Sequence, residues 1–318
     1  MGRFAIRRLI GMVAVLFAVS VIVFLVFNVI PSSDPAHRMA GRAASPRLIA
    51  SINQEWGFDD PLPQQYLTMM EKVFSGELIS YFGRENVDER ILEGIPATFS
   101  LCAGAAVIWL FFGLLFGYLS AMKAGGPLDR ALTIAAVDGL SMPIPFLAAI
   151  FLNYLTYKTE IFPSGEYVDL TANPLEWANH LVVPWITLAI LYVGFYSRVL
   201  RSNMLDAMNE DYVRTARAKG LSERRVIRRH VLRNSLVPIV TLFGLDVGAL
   251  LGGAIVVEGL FNVNGIGQYA YESLKNLDLP PIMAITLFGA FFIVLFNALV
   301  DVAYAWLDPR IRLGTSAQ

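Results

Sequence analysis

The stretch Ala97–Met122, ATFSLCAGAAVIWLFFGLLFGYLSAM, runs for 26 residues without an acid or a base. A helix crossing the roughly 30 Å hydrocarbon core of a bilayer needs about 20 apolar residues. In lipid, every backbone N–H and C=O must find its partner within the protein, so such a run reads as a membrane-crossing helix. Working outward, Leu9–Ile30 has 22 residues without a charge, and Ala131–Tyr157 has 27 with the single acid Asp138. Leu181–Ser197 has 17, Leu236–Val257 has 22 enclosing Asp246, and Ile282–Val300 has 19. The expected fold is all-α: a polytopic membrane protein with six transmembrane helices. Composition agrees, with 56% hydrophobic and 16% charged residues among 318, where an ordinary soluble domain carries about 25% charged. The first run is longer than the roughly 7–15 residues of a signal-peptide core. No small-x-small site precedes Pro31, so the run reads as a retained span.

The formal net charge is only −1, but the charges are sorted. Residues 1–8, 123–130, 198–235 and 301–318 together hold 17 Lys+Arg and 7 Asp+Glu. Residues 31–96, 158–180 and 258–281 hold 8 and 17. Basic connections stay on the cytoplasmic side, so both termini are expected to be cytoplasmic. The bilayer itself is then the first partner.

On the acidic side, residues 31–96 open with the turn Pro31-Ser32-Ser33-Asp34-Pro35. Amphipathic helices are expected at Pro46–Trp56 and Leu62–Phe74, and a third over Asn86–Glu93 ending at Gly94 and Pro96. Such a segment serves as a cap over the outer mouth, as a docking surface for a soluble partner, or as both. Segments 158–180 and 258–281 are rich in Pro, Gly and Asn. The cluster Asn262-Val263-Asn264-Gly265-Ile266-Gly267 reads as a turn after the fifth span, with no features of a phosphate loop.

The 38-residue connection 198–235 carries 10 Lys+Arg and 4 acids. Asn209 suits a helix N-cap, Glu210 and Asp211 suit the first turn, and Arg214, Arg217 and Lys219 suit the last. Gly220 can take the left-handed conformation that stops a helix. Ser222 can cap a second helix through about Asn234, which leads through Pro238 into span five. A loop that only fixed topology would need neither caps nor a glycine bend. A lipid-binding helix would carry Trp or Phe, and this one carries Ala216 and Ala218. Nucleic-acid binding is disfavoured by a lone aromatic, Tyr212, and no room for a supporting third helix. A short capped helix with small residues suits insertion into a groove of another protein.

The run Asp211-Tyr212-Val213-Arg214-Thr215-Ala216-Arg217-Ala218-Lys219-Gly220-Leu221-Ser222-Glu223-Arg224-Arg225-Val226 resembles the cytoplasmic coupling loop of ATP-binding-cassette importer permeases. Within that family it resembles the dipeptide/oligopeptide/nickel type. The Arg-Phe-x-x-Arg-Arg start, Gly-Ala-Ile-Val-Val-Glu-Gly-Leu-Phe at 253–261 and the closing Leu307-Asp308-Pro309-Arg310-Ile311-Arg312 agree. Where the family-wide loop has Glu-Ala-Ala, this chain has Arg214-Thr215-Ala216, so no glutamate salt bridge to an ATPase carries over. The resemblance implies a type I importer permease fold and residence in a bacterial or archaeal cell membrane. It implies an N-terminal arm and span one at 1–30, an extracytoplasmic cap at 31–96, and a permease core at 97–318. It also implies a second homologous permease, two cytosolic ATPase subunits and an extracytoplasmic solute-binding protein as partners, and Asp211, Tyr212, Arg214, Thr215, Ala216, Arg217, Lys219 and Gly220 as the ATPase-coupling residues. ATP and Mg would bind the partner ATPases, since this chain has no Gly-x-x-x-x-Gly-Lys-Ser/Thr loop. No cofactor, catalytic residue or nucleic-acid partner is expected. Di- or oligopeptides head the substrates implied, with nickel chelates, glutathione or another small solute as alternatives.

A charge at mid-bilayer costs at least about 2.5–3.5 kcal/mol. Asp138 and Asp246 therefore either cap broken helices or line the translocation path and meet a cationic amine of the substrate. Asp138 sits beside Gly139 and upstream of Pro143 and Pro145, which places a break in span three there. Glu258, at the outer end of span five, could guard the mouth in the same way. His37, His180 and His230 are scattered over both sides and form no metal site. Cys102 reads as packing, and the five tryptophans as packing or interfacial anchors. A stand-alone channel or secondary transporter would call for an internal repeat, which the two halves of the chain lack.

Overall fold

The computed structural model describes the backbone of residues 2–30, 34–40, 45–163 and 165–307, and their side chains except at 2–7, 251–253 and 300–307. The turn residues 31–33, the side chains of Arg3 and Arg7 and the closing Asp308–Arg312 run lie outside the described residues.

Thirteen α-helices are described. The first, α1 (Gly2–Phe24), passes into a wider π turn at Leu25–Val29. Three short helices follow on the acidic side: α2 (Pro35–Ala40), α3 (Pro46–Trp56) and α4 (Leu62–Ser75). Ser45 caps α3 by accepting a hydrogen bond from the Leu48 N–H at 3.2 Å, and Gly57, at φ +62°, ends it. Both boundaries of α3 fall where the sequence puts them.

The third amphipathic stretch does not end at Gly94 and Pro96. It is the first part of α5 (Val87–Met122), a single 36-residue helix. Asn86 caps it, accepting from the N–H groups of Asp88 and Glu89 at 2.9 and 3.0 Å. Pro96 removes one backbone donor from the ladder and leaves the helix unbroken. Gly94 is there for closeness: a Cβ on it would lie 2.7 Å from the Ile266 nitrogen.

Span three is broken as expected, at Met142–Pro143. α6 (Pro127–Ser141) runs straight through Asp138 and Gly139, and α7 (Ile144–Phe151, then a π turn at Leu152–Lys158) leaves it at 102°. The prolines set the break. Met142, the residue before Pro143, is extended at ψ 125°, as the proline ring requires of its predecessor.

α8 (Pro174–Met208) is 35 residues long, and the borderline run Leu181–Ser197 is only its middle. α9 (Asp211–Ala218) and α10 (Glu223–Val226, then a π turn at Ile227–Leu232) make the expected helix–bend–helix. α11 (Arg233–Phe261) carries Pro238 inside it. The turn expected at Asn262–Gly267 ends at Gly265, where α12 (Ile266–Asn276) begins, and α13 (Leu279–Leu307) is the last described helix.

Five of these helices are long and apolar enough to cross a membrane, and six spans result if the bent pair α6–α7 counts as one. Leu9, Ile10, Val13 and Phe17 each expose 60% or more of their surface, an apolar face that a bilayer would cover. α5 and α8 pack along their length through small residues, as lipid-embedded helices do. A Cβ on Gly117 would stand 2.7 Å from the Ser197 carbonyl oxygen, and one on Gly104 would run into the Trp185 ring. Two apolar clusters form. One holds Leu101, Trp109, Leu188, Tyr196 and Leu200 in the helical body and extends to Val213 and Ala216 of α9. The other joins Phe24, Trp56, Met69, Tyr269 and Met283, so α3 and α4 share a core with α1, α12 and α13.

Candidate functional site

The basic connection between α8 and α11 holds the largest group of candidate residues. Asn209 does not cap α9: it terminates α8, with its Nδ2 donating to the Leu205 carbonyl at 3.0 Å. Glu210 takes the N-cap position, its backbone extended at ψ 147° and its side chain making no cap bond. Ser222 holds the corresponding position before α10, also without a side-chain cap bond. Backbone bonds close the far end of α9, from Lys219 N–H to Thr215 O at 3.0 Å and from Gly220 N–H to Arg217 O at 2.9 Å. Gly220 sits at φ +76°, the left-handed region in which a Cβ is penalised.

The structure sorts the coupling residues into two faces. Val213 and Ala216 are buried against the chain's own body, in the cluster with Met204, Val226 and Ile227. Ala216, expected as a docking residue from its small size, thus faces inward; its size lets α9 lie close to the permease body. Asp211, Tyr212, Arg214, Thr215, Lys219 and Gly220 are exposed. Arg214 and Asp211 approach to 3.5 Å, and the Thr215 hydroxyl donates to the Asp211 carbonyl at 2.9 Å. Arg217, also exposed, is turned to an internal task. Its Nε and Nη2 donate to the two carboxylate oxygens of Glu223 at 3.1 and 2.7 Å, bridging α9 to α10 across the glycine bend. This fork holds the Glu223 carboxyl below its ordinary value and raises the Arg217 guanidinium.

A second fork went unseen in the sequence. Asp129, at the start of α6, is buried and accepts from Arg201 of α8 at 2.7 and 2.8 Å, from the Gly125 N–H at 2.8 Å and from the Ser120 hydroxyl at the end of α5. The Arg201 bonds, then that of Ser120, hold the Asp129 carboxyl far below the ordinary aspartate range. Ser120, Asp129 and Arg201 tie α5, α6 and α8 together at their basic-side ends. Asp129 and Arg201 lie 72 positions apart, so no local pattern announces them.

The three acids proposed for the path have separate surroundings. Asp138 is exposed on α6 and lines a cavity of about 540 Å³ in the elbow of the bent pair, with Phe116, Met142, Phe151 and Ser197. Asp246 on α11 is half-buried and accepts from the Tyr196 hydroxyl of α8 at 2.7 Å. Glu258 is fully buried and serves as a cap. Its Oε2 accepts from the N–H groups of Gly267 and Gln268 at 2.8 and 3.1 Å, at the N-terminus of α12. Thr98 of α5 accepts the neighbouring Ile266 N–H at 2.9 Å. Glu258 therefore opens onto no mouth in this conformation. Its visible work is to fix α12 to α5 and α11. The sequence held a signal for α12 in the helical spacing of Ile266, Tyr269, Ala270 and Ser273, which share its buried face, but the turn residues before it obscured it. Among the described residues no group of three or more His, Cys, Asp or Glu could hold a metal ion. Cys102 is buried in the body, as expected of a packing residue.

The model of the "binding-protein-dependent transport system inner membrane component" family matches residues 113–313, and that of its N-terminal membrane component matches residues 1–102. The chain is 36% identical over 313 residues to the glutathione transport system permease protein GsiC of Pectobacterium atrosepticum, covering 98% of this chain and 99% of that one. It is 33% identical over 316 residues to the oligopeptide transport system permease protein AppB of Bacillus subtilis, covering 98% and 100%. The dipeptide transport system permease protein DppB of the same organism is 32% identical over 315 residues, with 98% and 99% covered. Among solved structures, the inward-facing MetNI methionine ABC transporter matches with a TM-score of 0.50 at 15% identity, over 68% of this chain and 94% of that one. That likeness concerns the fold alone.

Proposed function

The chain belongs to the binding-protein-dependent transport system inner membrane components, and from that premise we propose that it is one permease half of an ATP-driven peptide importer. The membrane component of such a system is not the ATPase; energy reaches it from partner subunits through contact. The relatives named for oligopeptide, dipeptide and glutathione transport support peptides and peptide-like solutes as the cargo.

The observation that carries the mechanism is the sorted surface of α9. One face is packed into the permease body through Val213 and Ala216, and the other is exposed through Asp211, Tyr212, Arg214, Thr215 and Lys219. A helix held on one side by its own chain and free on the other transmits a push as a rigid body. Two cytosolic ATPases, drawn together by ATP, would move α9 of this chain and its counterpart in a second permease. The Arg217–Glu223 fork keeps the bend at Gly220 from absorbing that motion, and the Asp129–Arg201 fork passes it to α5 and α6. In this reading the basic connections and both termini are cytoplasmic, and the acidic cap at 31–96 faces the binding protein that delivers the solute. The core at 97–318 forms half the pathway, with Asp138 and Asp246 as its charged lining and Glu258 as the outer clamp.

Reconstitution tests this directly. The complete assembly in proteoliposomes should accumulate labelled di- and oligopeptides only with ATP and binding protein, with unlabelled glutathione tested as a competitor. Absence of ATP-dependent peptide uptake by an assembly that hydrolyses ATP would overturn the peptide assignment.

A further inference from the structure

Asp246 does not stand alone in its span. Its partner Tyr196 and its neighbour Tyr192, both of α8, belong to a group of four aromatic rings completed by Trp109 of α5 and Phe243 of α11. Trp109 stacks on Tyr192 with centroids 4.4 Å apart and planes 22° from parallel. Its centroid lies 5.9 Å from that of Tyr196 and 5.8 Å from that of Phe243. Tyr196 is fully buried and points its hydroxyl at Asp246 Oδ2, fixing the carboxylate's orientation. Among the described residues nothing donates to the other carboxylate oxygen, no Lys, Arg or His forms an ion pair with it, and the buried Trp109 indole N–H has no acceptor. The described residues therefore leave an oriented, half-buried anion with unmet hydrogen-bonding capacity beside a half-buried tyrosine.

An oriented carboxylate next to a half-buried tyrosine ring can take an ammonium or guanidinium group. The charge meets the carboxylate, and the ring quadrupole of Tyr192 shares the cation. We infer that Asp246, oriented by Tyr196 and neighboured by Tyr192, whose ring Trp109 backs from within the body, is a cation-reading station on the translocation path, favouring peptides that carry a Lys or Arg side chain. The peptide cargo rests on the proposed function above; the cation preference of the station does not.

The test reads the station without relying on peptides. In a Cys102→Ala background, a cysteine replaces Ala249, exposed on α11 one turn from Asp246. The assembled transporter in nanodiscs is treated with trimethylammonium-ethyl and sulfonatoethyl methanethiosulfonates, one cationic and one anionic. The ratio of their rates should fall at least fivefold on adding Asp246→Asn, which retains an oxygen for Tyr196 while removing the charge, and Asp246→Glu should restore most of it. A ratio that Asp246→Asn leaves unchanged would overturn the inference, as would a cysteine that neither reagent reaches.

Uptake supplies the second readout. Across Ala-Lys-Ala, Ala-Ala-Ala and Ala-Glu-Ala, Asp246→Asn should lower the lysine peptide about tenfold and the glutamate peptide less than twofold. Tyr196→Phe, which keeps the charge but frees the carboxylate, should lower the lysine peptide two- to threefold. Equal losses on all three peptides would mark Asp246 as structural and overturn the inference. Delivery by the binding protein is common to parent and variant, so ratios isolate the permease. A reagent ratio that responds in an assembly taking up no peptide would leave the station standing and refute the peptide cargo instead.

Discussion

The two ends of the helical body are fastened in opposite ways. On the basic side, α5, α6 and α8 meet at Asp129–Arg201, and α9 meets α10 at Arg217–Glu223; each is a two-bonded Arg–carboxylate fork. On the acidic side, Glu258 and Asp278 do comparable work with no cation. Glu258 accepts two backbone N–H groups, and Asp278 accepts from the Ser80 hydroxyl and, at 3.3 Å, from the Phe82 N–H. Solvent access sets their strengths. Arg217 and Glu223 expose 40% and 58% of their side chains, whereas the Asp129 side chain exposes 5% and Glu258 nothing. An exposed fork is weak and salt-sensitive, whereas a buried carboxylate with its bonds filled holds a fixed geometry. The basic side therefore joins a fixed fork at Asp129–Arg201 to a salt-sensitive brace at Arg217–Glu223, and on the acidic side Glu258 and Asp278 are both buried.

That contrast can be broken at its strongest point first. Glu258→Ala strands the Gly267 and Gln268 N–H groups, at a cost of about 3 kcal/mol. A large fall in the thermal midpoint of the purified chain is expected, and a midpoint equal to the parent's would show that α12 is held by other contacts. Asp129→Ala should cost about 2 kcal/mol, less because Arg201, 32% exposed, can turn to water. Its uptake should fall more than its stability, if motion passes through that fork.

Gly220→Val forces a β-branched residue to φ +76°, costing about 1 kcal/mol. Insertion should survive while ATPase co-purification or uptake falls; normal values of both would remove Gly220 from the coupling element. Acidification sharpens the contrast without mutation. Burial raises the Asp278 carboxyl above its ordinary 3.8, so the folded state binds a proton more tightly than the unfolded chain. Stability around Asp278 should rise as pH falls from neutral through that raised value toward 3.8. Asp129 is shifted the other way, chiefly by Arg201, so its contribution is complete above 3.8 and is lost only as pH falls below it. Hydrogen-exchange protection factors at residues 78–83 should rise as pH falls from neutral toward 3.8, while those at 123–130 are kept. Least of all, Arg217→Met should leave the thermal midpoint unchanged, removing only a salt-sensitive part of ATPase coupling.

Local signals carried well from sequence to structure. The boundaries of α3, the left-handed Gly220 and the helix–bend–helix of 198–235 all depend on residues close together in the chain. Span three breaks as expected, at the first of the two prolines that follow Asp138–Gly139, because a proline constrains its predecessor and a mid-helix aspartate does not. The faces of α9 were less legible. Amphipathic spacing shows that Val213 and Ala216 share a face, but only tertiary packing decides whether it turns to the chain's own body or to a partner. Asp129–Arg201 and the aromatic ring around Asp246 join residues from separate helices, and no spacing rule reaches that far.

α5 has a mechanical consequence. Its 36 residues extend about 54 Å, against a hydrocarbon core of about 30 Å. One end meets α12 at Gly94, and the other meets the Asp129 fork at Ser120. The helix is thus a single rod, gripped by α8, whose surplus length is the charged stretch Val87–Pro96 on the acidic side of the apolar run Ala97–Met122. If it tilts about that grip, its ends swing in opposite directions, and opening at one face of the membrane becomes closure at the other.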